Sequence, residues 1–366
     1  RQSDNFGWWL VLFALILVLL VFGLAFSKAG DVVIGGAGAK PEYTMWQWFS
    51  MSLKGGIGTG ILFWAMGEPI FHMAAPPAAA GAQPFTREAG LFAISQTMLH
   101  WTIAQYAMYS LCAVGVALMA YNRRRTISVS SIFEPYLSSS VYGVVKTVVP
   151  MVSLFCIVGA LACSMAVGLM QINSGLNFFF GLPIDGVTVF AIAAIMVTVY
   201  VVSCLTGIKK GMRVLSSFCT IVFIGLMVYV LCLGPTRFIV DAGTESLGVF
   251  FNRFFEHSVI LPTMAENETW SKSWIIMFMA SFFVYAPIIG LFLARLGKGR
   301  TVREFIFMNI GAPTLFCIVW IAIWGGTTVW LQYTGIMDVW QSVNEKGLEV
   351  TIFTILSTLP FAKILA

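Results

Sequence analysis

The apolar positions of this chain fall in long unbroken blocks rather than alternating with polar ones. Trp8 to Phe26 contains no charged residue, and neither does Val214 to Pro235. About 20 helical residues cross a hydrocarbon core of about 30 Å, so each block is long enough to span a bilayer. Lipid cannot satisfy backbone polar groups, which leaves helices and closed barrels as spanning structures. Continuous apolar runs of this length predict helices.

Eight complete spans are predicted: Trp8–Ala25, Met45–Phe71, Glu88–Tyr121, Val144–Phe178, Val187–Leu205, Val214–Leu233, Trp274–Arg295 and Val302–Gln332. Two stretches break the pattern. Ser246 to Leu261 places apolar residues mostly on one helical face, with Asn252, Arg253 and Glu256 between them. That predicts an amphipathic helix lying on the outer surface, against the alternative of a plain connector. Gly335 to Leu359 mixes Trp340, Glu345, Lys346 and Glu349 with apolar residues and predicts a second structured linker outside the membrane.

Composition agrees with the blocks. Hydrophobic residues make up 59% of the chain and charged residues 10%, against about 25% charged in soluble domains. A water-soluble surface for 366 residues is hard to build from so few charges. The seven cysteines lie inside apolar segments and read as buried, inert thiols. With three histidines and no C-x-x-C, a metal site has little support, and no cofactor is expected. No pairing of nucleophile and base points to an enzyme, and nothing points to nucleic acid. The start of the chain does not resemble a cleavable signal peptide. Phe361 to Ala366 reads as the opening of another apolar segment, so an internal portion of a longer protein is expected.

Basic residues set the orientation. Arg123 to Arg125 follow the third span, Lys209, Lys210 and Arg213 the fifth, and Arg295, Lys298, Arg300 and Arg303 the seventh. These loops share one side if every span crosses, and the basic side is cytoplasmic. The chain then enters from outside at Trp8.

The second span carries Gly55, Gly56, Gly58 and Gly60 within six residues. Glycine in a helix interior costs up to about 1 kcal/mol relative to alanine, and it lets a ligand or another backbone approach closely. Broken helices near the midplane mark transporter binding sites. The same glycines also fit small-residue helix packing, with Gly56 and Gly60 in G-x-x-x-G spacing. Lys54 favours the first reading. A charge at the membrane centre costs at least about 2.5 kcal/mol, and Lys54 lies roughly 15 Å of helical rise from Met45, too far for easy snorkelling. Glu68, followed by Pro69, is expected near the outer end, capping or turning the chain.

Aromatic residues recur in two spans. Trp101, Tyr106 and Tyr109 fall near one broad helical face. Phe282, Phe283 and Tyr285 precede Pro287. Aromatic faces bind quaternary ammonium groups, but with 14% aromatic residues ordinary packing or lipid contact explains any one of them equally.

The segment ARLGKGRTVREF, Ala294 to Phe305, resembles the A-R-I-S-R-G-R-T-I-R-E-F signature of the betaine/choline/carnitine transporter family. GGIGTGILFWAMGEP resembles that family's glycine motif, HWTIAQYAMY its H-W-x-x-x-x-W-A-x-Y, YAPIIGLFLAR its W-S-P-F-V-G-x-F-x-A-R, and GALACSMAVGLMQINSGL its G-T-A-C-S-L-G stretch. Order and spacing match over nearly the whole chain.

The resemblance implies an all-α membrane protein with a leucine-transporter-like five-helix inverted-repeat fold, truncated at both ends. Residues 1–366 would form one transporter domain covering the family's second span to the start of its tenth, with 246–261 as the curved periplasmic helix. It implies a multi-pass plasma-membrane protein, a homotrimer, and secondary transport of a small zwitterionic or quaternary-ammonium solute by symport or antiport. The implied solute site comprises Gly56, Gly58, Gly60, Phe71, Trp101, Tyr106, Tyr109, Phe282 and Tyr285, with Lys54 as a coupling residue. The chain departs from the family pattern at Tyr106, Ser281, Phe282 and Tyr285, where tryptophans are usual, which weakens a trimethylammonium cage. Ile157 and Leu161 stand where sodium-coupled members have threonines, and hard cations need oxygen ligands. Sodium independence is therefore expected. The alternatives are a transport-deficient solute sensor of the same fold and a transporter of another osmolyte such as ectoine or taurine.

Overall fold

The computed structural model describes residues 2–57, 60–205, 208–262 and 269–361. Its α-helices, in chain order, are α1 (Gln2–Phe26), α2 (Met45–Ile57), α3 (Gly60–Ala74), α4 (Arg87–His100), α5 (Ile103–Ala117), α6 (Ser139–Phe180), α7 (Gly186–Leu205), α8 (Ile208–Leu233), α9 (Thr236–Asn252), α10 (Phe254–Ser258), α11 (Met277–Leu296), α12 (Val302–Ile306), α13 (Ala312–Thr334), α14 (Val339–Lys346) and α15 (Thr351–Ser357). Among the described residues one isolated antiparallel bridge, Val33 to Thr301, is the only β pairing.

Each predicted span has a helical counterpart. Six helical stretches among the described residues are long and apolar enough to cross a membrane. The other two spans are α7 and the glycine-rich span, which is divided into α2 and α3. Residues 58 and 59, between these helices, lie outside the described residues, so the expected unwinding at Gly58 does too. The third span is not continuous as expected. Trp101 and Thr102 form a turn between α4 and α5, and Thr102 has φ −125° and ψ −117°, outside the helical region. Residues Leu118–Asn122 then continue the span as a π-helical turn.

Helix α1 shows how these spans are built. Val11, Ala14, Val18, Val21 and Ala25 are buried at alternating three- and four-residue steps, which is one face of an α-helix. Trp8, Leu12, Ile16, Leu19 and Leu20 on other faces are exposed and equally apolar. A helix hydrophobic all round suits lipid on one side and protein on the other.

The chain divides into two compact units. The first comprises Arg1–Ile57, His100–Ala162 and Ser258–Leu315. Its central pair is α5 and α11, held close by Gly290, where an added Cβ would lie 2.7 Å from the Cys112 Sγ. At one end of this unit the 32–34 segment pairs with the basic loop before α12. Ile34 N donates to Arg300 O at 2.9 Å, Gly299 N to Ile34 O at 2.8 Å and Val302 N to Val32 O at 2.9 Å. Arg303 donates to Ala25 O and Asp31 Oδ1 at 2.9 and 2.6 Å. Helix α12 opens on a capping box between Thr301 and Glu304. The family-like basic motif thus has a structural use, as the seam that ties α12 to the segment after α1.

The second unit comprises Gly58–Leu99, Cys163–His257 and Phe316–Ala366. The predicted amphipathic segment is two helices here, and it starts earlier. Helix α9 begins at Thr236, ends at Asn252, and is followed after Arg253 by the short α10. Ile239, Ala242, Gly243, Ser246 and Phe250 make its buried stripe, and Gly243 lets it approach Ala322 of α13. An ion pair between Arg87 and Glu245 joins α4 to α9. The predicted linker 335–359 folds as α14, a 3-10 turn at Leu348–Val350, and α15. Leu348 sits over Gly67, where a Cβ would come within 2.3 Å of its Cδ1. Against expectation, the thiols are not uniformly buried. Cys317 is buried while Cys163 and Cys232 are exposed on apolar helix surfaces, where each can face lipid as a small apolar group.

Candidate functional site

Within the first unit the structure brings the third and seventh spans together through rings. Trp101 meets Phe282 edge to face, with centroids 6.0 Å apart and planes at 75°. It meets Phe278 at 5.3 Å and 72°. Phe278 and Phe282 stack at 5.8 Å and 14°, one helical turn apart on α11. Trp101, Phe278 and Phe282 are all buried.

Tyr106 and Tyr109 form a second group on α5, edge to face at 6.3 Å. The Gln105 Nε2 donates to the Tyr109 hydroxyl at 3.3 Å. Both tyrosines are 2% exposed. Tyr285 is half-buried, and its hydroxyl donates to the Ala160 carbonyl of α6 at 2.8 Å. That bond joins α11 to the helix that carries Ile157 and Leu161.

The turn at Trp101 changes the face argument. Three-residue spacing still places Tyr106 and Tyr109 together. Trp101 precedes α5, so helical periodicity does not place it, and its contacts to α11 do. Such edge-to-face geometry suits ring quadrupoles, and buried aromatic faces offer a surface to an alkylated cation.

The remaining expected residues are distributed differently. Lys54 is half-buried in the last turn of α2, where a cation is favoured by the partial negative charge of the helix end. Gly56 lies in that same turn. Gly60 opens α3, in the second unit, and Gly58 lies outside the described residues. Phe71 also belongs to the second unit and packs edge to face on Trp340, at 5.4 Å and 89°. Ile157 is half-buried and Leu161 is exposed, and neither side chain carries an oxygen.

Two features were missed by sequence reasoning. Phe278 joins both rings of the main cluster, and the repeat Phe278, Phe282, Tyr285 at i, i+4 and i+7 was the signal for it. Glu68 is the second. It was expected to cap or turn the chain, but it lies inside α3, fully buried, with its Oε1 3.0 Å from the His72 Nε2. Pro69 does not end the helix, which runs on to Ala74. The four-residue spacing of Glu68 and His72 was the sequence signal.

A sequence model of one transporter family, described as BCCT, betaine/carnitine/choline family transporter, matches residues 2–366. A probable glycine betaine transporter of Desulfitobacterium hafniense is 29% identical over 358 residues, covering 98% of this chain and 71% of the relative. The glycine betaine transporter OpuD of Bacillus subtilis is 30% identical over 351 residues, covering 96% and 68%. An ectoine/hydroxyectoine transporter of Virgibacillus pantothenticus is 28% identical over 363 residues, covering 99% and 71%.

Proposed function

The chain belongs to the betaine/carnitine/choline transporter family, and on that premise we propose that it carries a small zwitterionic or quaternary-ammonium compatible solute across the plasma membrane without requiring sodium. It is a multi-pass membrane transporter and not an enzyme. The observation that supports the solute class is the buried contact of Trp101 with Phe278 and Phe282. Rings from two spans meet there at a break in one of them.

In this reading Trp101, Tyr106, Tyr109, Phe282 and Tyr285 contact the solute, together with Phe71 and the backbone at Gly56, Gly58 and Gly60. Relatives named for glycine betaine and for ectoine support a compatible solute as the class. The departures from tryptophan at Tyr106, Phe282 and Tyr285 favour a solute less dependent on a full cation cage. The helices correspond to the family's second span to the start of its tenth, within a leucine-transporter-like inverted-repeat fold. The assembly is a homotrimer.

Sodium independence is supported by the aliphatic side chains of Ile157 and Leu161, which cannot coordinate a hard cation. Lys54 places a fixed positive charge in the last turn of α2. Uptake of labelled glycine betaine, choline, carnitine and ectoine into proteoliposomes tests the reading. Saturable uptake of at least one of them in sodium-free potassium buffer is expected. Binding without any uptake identifies a solute sensor and overturns it.

A further inference from the structure

We propose that the buried pair Glu68 and His72 binds the proton that this transporter couples to its solute, a proposal that rests on the sodium-independent reading above. The two residues stand one turn apart on the same face of α3, and both side chains are 0% exposed. The His72 Nε2 lies 3.0 Å from the Glu68 Oε1. Ionisable residues inside membrane spans mark ion pathways and proton relays.

The charge balance gives the mechanism. With one titratable proton bound, the pair is a carboxylate beside an imidazolium and carries no net charge. Without that proton it is a carboxylate beside a neutral imidazole and carries one negative charge. A net charge with no exposed surface is strongly disfavoured unless it is compensated. The enclosed pair therefore holds its proton, and opening it to water on one side allows release. Occupancy then follows access, as coupling requires. The proton moves between water and the imidazole nitrogen, and no other bond forms or breaks.

The surroundings contribute further titratable groups. Phe92 of α4 packs on the His72 ring at 6.1 Å, and His257 of α10 packs on the same Phe92 at 5.3 Å. Helix α4 also carries Arg87, Glu88 and His100, and Arg87 is paired with Glu245. The elements packed on α3 are α14, the Leu348–Val350 turn and α15. They bring Glu345, which accepts a hydrogen bond from Gln341, together with Lys346 and Glu349. By the orientation that the basic loops predict, α3 runs toward the outer face, where His257 lies beyond Phe92. Lys54, at a helix end that favours its ammonium form, supplies a fixed charge, while the enclosed pair titrates.

The test uses full-chain proteoliposomes loaded with a pH-sensitive dye, in sodium-free buffer, with an imposed glycine betaine gradient. The protons moved per solute are measured in the unmodified protein, in Glu68→Gln and in His72→Gln. A nonzero ratio in the unmodified protein that falls at least ten-fold in Glu68→Gln supports the proposal. If Glu68→Gln carries no solute, the pH profile of solute flux in His72→Gln decides, and a flattened profile supports the proposal. An unchanged ratio in both variants, an unchanged profile in His72→Gln, or solute movement without protons in the unmodified protein overturns it. Absence of any solute movement in the unmodified protein defeats the transport reading itself, and strict sodium dependence defeats the coupling reading.

Discussion

Trp101 and Phe282 meet edge to face at 6.0 Å although they come from different spans, and the contact depends on a turn that interrupts the first of them. If a desolvated cation rests on the Trp101 face, Trp101→Leu weakens binding by about 1–2 kcal/mol, roughly 5- to 30-fold in Kd. Tyr109→Leu has a smaller effect in the same direction. Phe278→Ala, which removes the ring touching both Trp101 and Phe282, also weakens binding. Calorimetric titration of the purified protein with glycine betaine measures all three. Unchanged affinity in both Trp101→Leu and Tyr109→Leu would sink the aromatic site.

Solute uptake is expected to be equal in sodium and in potassium buffer. Ile157 and Leu161 give a sodium ion no side-chain ligand. Lys54→Ala is expected to slow transport or to make it sensitive to added cations, since a fixed positive charge is lost from the end of α2. Initial rates across a cation series measure both effects, and strict sodium dependence of the unmodified protein contradicts the idea.

Gly299 has φ +80°, and a Cβ there would lie 2.3 Å from the Lys40 carbonyl carbon. Gly299→Ala therefore meets both backbone strain and a backbone clash at the seam before α12. A loss of roughly 1–3 kcal/mol follows from the strain alone. Gly248→Ala, in an ordinary helical position with nothing within 4 Å, is the matched control and should leave stability nearly unchanged. Thermal unfolding in detergent compares the two, and equal Tm values would contradict the clash.

His257 lies outside the spans and is buried, with an Nε2 that has no hydrogen-bond partner among the described residues. Burial pushes its pKa below the ordinary value, Glu256 opposes this, and Arg253 adds to it. The folded state thus binds this proton less well than the unfolded chain, whose imidazole titrates near 6.5. Stability is full above about pH 6.5 and falls as pH drops below it toward the folded-state value. Thermal unfolding from pH 8 to pH 5 should show this slope, and His257→Asn should reduce it. An identical slope in the variant would contradict the assignment.

The sequence alone determined the class of the molecule and its spans. Apolar blocks of about 20 residues have few physical solutions in a chain with 10% charge. Family membership was legible because its motifs are long and specific, as Ala294 to Phe305 demonstrates. That the seventh span brings Phe282 to the site was also legible, through the same resemblance. The tertiary structure decided what periodicity cannot carry. A local turn at Trp101 breaks the helical register, so its partners Phe278 and Phe282 follow from packing and not from spacing. Glu68 shows the same limit. Pro69 suggested a helix end, but a proline removes only one donor and one ladder bond, and packing carries α3 through it to Ala74. The partnership of Glu68 with His72 then became visible as a buried contact, because burial is a property of neighbouring elements and is not written in any one segment.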